Sequence, residues 1–218
     1  NNFLIEKIPY IEIEGLKITQ DKINSILEFI NINKIIDNVK SESINILEIG
    51  AGSGRTTETV ISLLSEKKVK YVIVDIPPAL HINYLRMKNN YPNNKIKVAL
   101  DINSSAHLNE MFKNNDILLI LPHQLKYFEN KNFDLTIAID CLHEMDKKTI
   151  KSYMDKIDRV SNYFYYKVWS ETHVPYSFKN FLSAKDKKSY FIKDKWELLF
   201  EKNCIFPSNY YEFGYRVI

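Results

Sequence analysis

The 218-residue chain is long enough for one sizeable domain and short for two. Its 45% hydrophobic and 26% charged residues are the balance of a globular protein, and a net charge of +3 is too small to imply a nucleic-acid partner. No apolar run approaches the ~20 residues of a membrane span, and Cys141 and Cys204 fit no metal or redox spacing, so a cytoplasmic protein with free thiols is expected.

Asn1 opens the chain in place of a methionine, so native residues are expected before it. "QDKINSILEFININKIIDNV" (20–39) has the period of an amphipathic helix, and residues 1–43 are expected to form a helical cap on a domain running from 44 to 218. "INILEIG" (44–50) reads as the first strand and "RTTETVISLLSEK" (55–67) as the helix that follows. "YVIVDIP" (71–77) is a strand stopped by Pro77 and Pro78, with a helix expected over 79–91. Between 93 and 115, "KIKVAL" reads as a short strand and "SAHLNEMFKN" as a helix. "DILLILP" (116–122) and "FDLTIAID" (133–140) are buried strands, and Asp146 is placed to cap a helix over 146–161. "YFYYKVW" (163–169) is another strand, and "WELLFEKNC" with "YYEFGYRVI" forms a closing antiparallel pair. The alternation predicts an α/β fold with a mainly parallel sheet and helices on both faces.

In "ILEIGAGSGRTTETV" (44–58), Gly50, Gly52 and Gly54 account for three of the five glycines in the chain. A strand ending in Gly-x-Gly-x-Gly and feeding a helix is a ligand loop at the carboxyl edge of a parallel sheet. Glycine permits close approach to the backbone, and the amides that open the helix favour an anionic group. Arg55 stands where a dinucleotide fingerprint requires Gly or Ala, which argues against an NAD-linked oxidoreductase. Glu48 lies two positions before the first glycine. Asp75 ends the next strand, where a carboxylate can accept from both ribose hydroxyls.

With these residues the chain resembles the class I S-adenosylmethionine (SAM) methyltransferases. The stretches "YVIVDIPPAL", "FDLTIAIDCLHEM" and "YFYYKVW" are similar to the sugar O-methyltransferase family of bacterial polysaccharide and antibiotic pathways. The resemblance implies a Rossmann-like, seven-stranded, mainly parallel sheet with SAM as cofactor and S-adenosylhomocysteine as product. It assigns Glu48, Gly50, Ala51, Gly52 and Gly54 to the methionine end, Asp75 to the ribose and Ile76 to the adenine. The polar adenine contact falls on Pro122, His123 and Gln124, where the acid usual in the superfamily is missing. Asp140 would meet the cofactor ammonium or steady the loop.

Methyl transfer to a hydroxyl is an in-line displacement that needs an aligned acceptor and a base. His143 and Glu144 in "DCLHEM" are the candidate bases, in a turn at the carboxyl edge of the sheet. Trp169, Glu171 and His173 are the candidate acceptor contacts, the indole as a stacking surface and the other two as hydrogen-bonding groups. "DCLHEM" also lacks the Asn/Asp-Pro-Pro-Tyr pattern of enzymes that methylate base or amide nitrogen. The expectation is therefore O-methylation of a sugar or glycan precursor, with no metal site assigned unless the fold gathers Asp140, Glu144 and Glu171, no nucleic acid and a homodimer as one option. A phenolic or carboxylic acceptor, or a non-catalytic partner of this fold, is the alternative.

Overall fold

The computed structural model describes residues 9–129, 131–174 and 181–218. The chain opens with β1 (Tyr10–Ile13) and β2 (Leu16–Thr19), an antiparallel hairpin turned by Glu14 and Gly15 at φ of 50° and 78°. Two consecutive positive φ angles match the right-handed twist of paired strands, which is why the pair closes in two residues. The helical expectation for residues 1–43 is thus corrected over 10–19, and it holds over α1 (Gln20–Ile36), which Thr19 caps by accepting from Lys22 N.

Next come β3 (Ser43–Ile49), α2 (Arg55–Leu63), β4 (Lys68–Val74) and α3 (Pro77–Asn90). Helix α3 begins on the prolines that were expected to precede it, because the first turn has no use for the missing N–H. Then follow β5 (Ile96–Ala99), α4 (Ser105–Asn114), β6 (Ile117–Ile120), β7 (Phe133–Ile139) and α5 (Lys147–Val160). Asp146 caps α5, its carboxylate accepting from Thr149 N at 2.7 Å. The chain closes with β8 (Ser161–Trp169), the short pair β9 (Glu171–His173) and β10 (Phe181–Ser183), then β11 (Glu197–Asn203) and β12 (Tyr210–Arg216).

The main sheet has the order β11-β12-β8-β7-β3-β4-β6-β5. It has eight strands rather than the expected seven, since "KIKVAL" supplies β5 as a parallel edge strand outside β6. Strands β5 to β8 pair in parallel with β3 and β4 at the centre, while β11 and β12 add the antiparallel pair. Along β3, Leu47 and Ile49 pack into one core cluster with Val72, Phe128 and Ile150, while Ile44 and Ile46 pack into another with Ile32 and Tyr71. A strand covered on both faces must be apolar at nearly every position, and the central segments were legible for that reason. The sequence order of the strands reverses across β3, and in such sheets a crevice opens there at the carboxyl ends. No helix among the described residues is long and apolar enough to cross a membrane.

Candidate functional site

At that reversal lies a cavity of about 470 Å³, lined by Gly50, Ala51, Gly52, Ser53, Arg55, Asp75, Ile76, Ile139, Asp140, Cys141, Glu144 and Met145. Hollows of about 570 and 630 Å³ lie at the opposite, amino-terminal ends of the strands and contain none of the expected site residues. The site is therefore assembled by the ends of β3, β4 and β7.

Gly52 has a φ of 56°, and a Cβ added to it would meet nothing within 4 Å. It is glycine for its conformation and leaves the loop open to a ligand. Its N–H donates to Asp75 Oδ2 at 2.8 Å, and Asp75 Oδ1 accepts from Ile76 N at 2.7 Å. Burial raises the Asp75 carboxyl above the usual range, against the pull of these two N–H groups. Gly54 opens α2 at φ 81° and abuts Asn83 and Met87 of α3, so its glycine requirement is close helix packing instead of ligand contact. Ile76 is 59% exposed on the cavity wall, an apolar surface suited to a flat ring.

Two expected contacts turn inward. Glu48 is buried, and its Oε2 accepts from Thr57 Oγ1 at 2.6 Å and Tyr71 Oη at 2.7 Å. It ties β3 to α2 and β4 beneath the loop and does not line the cavity; burial raises its pKa. Gln124 is fully buried after β6, where Oε1 accepts from Leu121 N at 2.7 Å and Nε2 donates to Leu100 O at 2.8 Å. Its amide is spent joining the ends of β6 and β5, and neither Pro122 nor His123 reaches the cavity lining.

Asp140 ends β7 at φ 56°, a left-handed conformation unusual for a residue with a side chain. Its Oδ2 lies 3.7 Å from Arg55 Nη2, whereas Oδ1 is buried without a hydrogen-bond partner. Such an oxygen at a cavity wall calls for a cationic or N–H partner. Burial first, and then the nearby Glu28 charge, raises its carboxyl, while Lys167 and Arg55 counter this. Beneath it runs an ion cluster that sequence reasoning missed. Arg55 grips Glu28 of α1 at 2.6 and 3.1 Å, and the buried Lys167 of β8 donates to the same carboxylate at 2.8 Å. The visible signal was Lys167, a cation inside the apolar run "YFYYKVW".

In the turn before α5, Glu144 is exposed and lines the cavity, while His143 is buried and does not. Burial pushes the His143 pKa down to about 4, and its Nδ1 has no partner. Its ring centroid lies 6.0 Å from Trp169 and 6.1 Å from Tyr210. Trp169 is 42% exposed at the end of β8. Glu171 and His173 sit on β9, with His173 edge-on to Phe181 at 5.4 Å. Cys141, also unforeseen as a lining residue, donates its thiol to Ile49 O at 3.1 Å. Among the described residues there is no group of three or more His, Cys, Asp or Glu side chains that could hold a metal.

The residues present fit SAM: an open glycine loop, a carboxylate across from it and an acid with one unpartnered oxygen at the same cavity. A protein-family model described as lysine methyltransferase matches residues 15–168. No curated protein sequence matches the chain. A SAM-dependent methyltransferase from Aquifex aeolicus is similar in structure, with a TM-score of 0.55, 11% identity, and 89% of this chain and 93% of that one covered. The N-terminal domain of EvdMO1, solved in the presence of S-adenosylhomocysteine and D-fucose, has a TM-score of 0.54 and 13% identity over 97% of this chain and 91% of that one. The PH0226 protein of Pyrococcus horikoshii OT3 has a TM-score of 0.55 and 13% identity over 86% and 88%.

Proposed function

The chain belongs to the family described as lysine methyltransferase, which makes it a SAM-dependent methyltransferase, and we propose that its acceptor is a hydroxyl oxygen of a sugar or glycan precursor in the cytoplasm. The observation that supports the reading is an acid-lined cavity with Glu144 on its wall, next in the chain to His143, whose ring packs against the exposed Trp169. The EvdMO1 domain, solved in the presence of D-fucose, spans nearly the same length of chain and supports it.

SAM, when bound, supplies the methyl group as an electrophile on a sulfonium. Gly50, Ala51 and Gly52 would hold its methionine end with backbone groups, and the unpartnered Asp140 oxygen would take its ammonium. Asp75 would accept from the ribose hydroxyls, and Ile76 would cover the adenine. Glu144 would orient the acceptor hydroxyl. His143 would take its proton at Nδ1, which requires its buried ring to turn toward the cavity it does not line here. An alcohol oxygen that is gaining a bond to carbon becomes a strong acid, so a base with a pKa near 4 is sufficient and is unprotonated at neutral pH.

Labelled methyl transfer from SAM into UDP-glucose, UDP-galactose, GDP-mannose and glycan extracts tests the reading. Transfer to at least one is expected. His143→Ala should lower turnover about 10²–10⁴-fold, and Glu144→Gln less, with S-adenosylhomocysteine binding intact. The family's description favours a second reading, the side-chain amine of lysine. Label entering protein lysine and no sugar would replace the first reading with the second.

A further inference from the structure

The closing strands bring one unassigned residue beside Trp169. Tyr210 begins β12 and pairs directly with Trp169, the last residue of β8. Directly opposed residues of an antiparallel pair project from the same face, so the two rings lie side by side at the carboxyl edge. Their centroids are 5.6 Å apart with planes at 60°, and the buried His143 ring closes the third side of the cluster. Lys167 Nζ lies 5.1 Å from the Tyr210 ring centroid. The Tyr210 hydroxyl sits beside the Asp140 carboxylate, which joins the cluster to the cofactor cavity. Burial first, and then the Asp140 charge, pushes this hydroxyl up to about 12, so it stays protonated.

We propose that Tyr210 and Trp169 form a stacking platform that seats the apolar face of a pyranose ring next to the methyl donor, an inference that rests on the sugar reading above. Aromatic faces are electron-rich and meet the slightly positive C–H bonds of a sugar ring, which hydroxyl-binding residues alone would not orient; Trp169 is exposed and Tyr210 half-buried beside it. Tyr210 is then a positioning residue whose contribution comes through its ring.

Trp169 reports on its own platform. The only other tryptophan, Trp196, is buried, so W196F leaves a single surface fluorophore. If W196F does not fold, the difference between wild type and W169F isolates the same signal. Each protein is saturated with S-adenosylhomocysteine and titrated with UDP-glucose, UDP-galactose, GDP-mannose and N-acetyl-lysine amide. A saturable change in Trp169 emission with at least one sugar is expected. Y210L should weaken it about three- to tenfold, Y210F should retain it, and cofactor affinity should not move in either. The platform is overturned if no sugar changes the emission, if only the lysine amide does, or if Y210L binds sugar as the wild type does. Methyl transfer to a sugar without a Trp169 response would remove the platform and leave the O-methyltransferase reading. A sugar response without transfer to any sugar would do the reverse.

Discussion

Acidification should destabilise this protein through one imidazole. His143 has its pKa pushed from 6.5 to about 4 by burial. Between those values the unfolded chain binds a proton at this site that the native chain refuses. Stability therefore rises with pH through the window, is complete above pH 6.5 and is lost as pH falls toward 4. The ceiling is about 3 kcal/mol, and at pH 4.5 about 2.5 kcal/mol of it would be expressed. Urea denaturation at pH 7 and pH 4.5 measures the loss, and His143→Gln, which cannot titrate, cancels every other group in the comparison. The variant should lose about 2–3 kcal/mol less than the wild type across this interval. The acid limb of kcat/KM should likewise fall near pH 4, well below the ordinary histidine range. Equal acid losses in the two proteins, or an NMR titration of His143 near 6.5, would refute the reasoning.

Three further perturbations divide the cofactor side from the framework. Gly52→Val places a branched side chain in the open loop at a positive φ, so calorimetry should find no S-adenosylhomocysteine binding while the protein loses about 1–3 kcal/mol of stability; normal binding would remove the loop from the site. Asp75→Ala should weaken the same ligand about 10- to 150-fold through a lost charge-assisted hydrogen bond, and an unchanged Kd would exclude the ribose assignment. Glu28→Gln leaves Arg55 and buried Lys167 without their shared carboxylate and should cost about 3–5 kcal/mol in urea, with part recovered by adding Lys167→Met; an unchanged midpoint would show that the cluster contributes nothing net.

What the sequence disclosed follows from which forces act locally. Strands β3, β4, β6 and β7 are covered on both faces, so each reads as an apolar run, and Asp146 announces α5 because a cap is a contact between near neighbours. The β1–β2 hairpin went unread although "YIEIEGLKIT" alternates, because its turn is Glu14-Gly15 and not the Asn-Gly or Asp-Gly that signals such a turn. Strands β9 and β10 have three residues each, too few to express a period.

The site divided along a different line. Gly50, Gly52, Asp75 and Asp140 were legible because strand ends deliver them to one edge, and knowing the strands is enough to place them. Glu48 and Gln124 occupy equally suggestive positions, yet their side chains turn into the protein, because a pleat and a tight turn decide direction residue by residue. The partners 28, 55, 140 and 167 are separated by whole elements, and no local pattern links them. Lys167 still left a trace, since a cation in a strand with no exposed face must find a buried anion or destabilise the fold. The anion it finds is on α1, outside the glycine-loop domain as the sequence divides it. That contact makes the N-terminal helix part of the wall behind the glycine loop, because the carboxylate that neutralises Lys167 also fixes Arg55 beside Asp140.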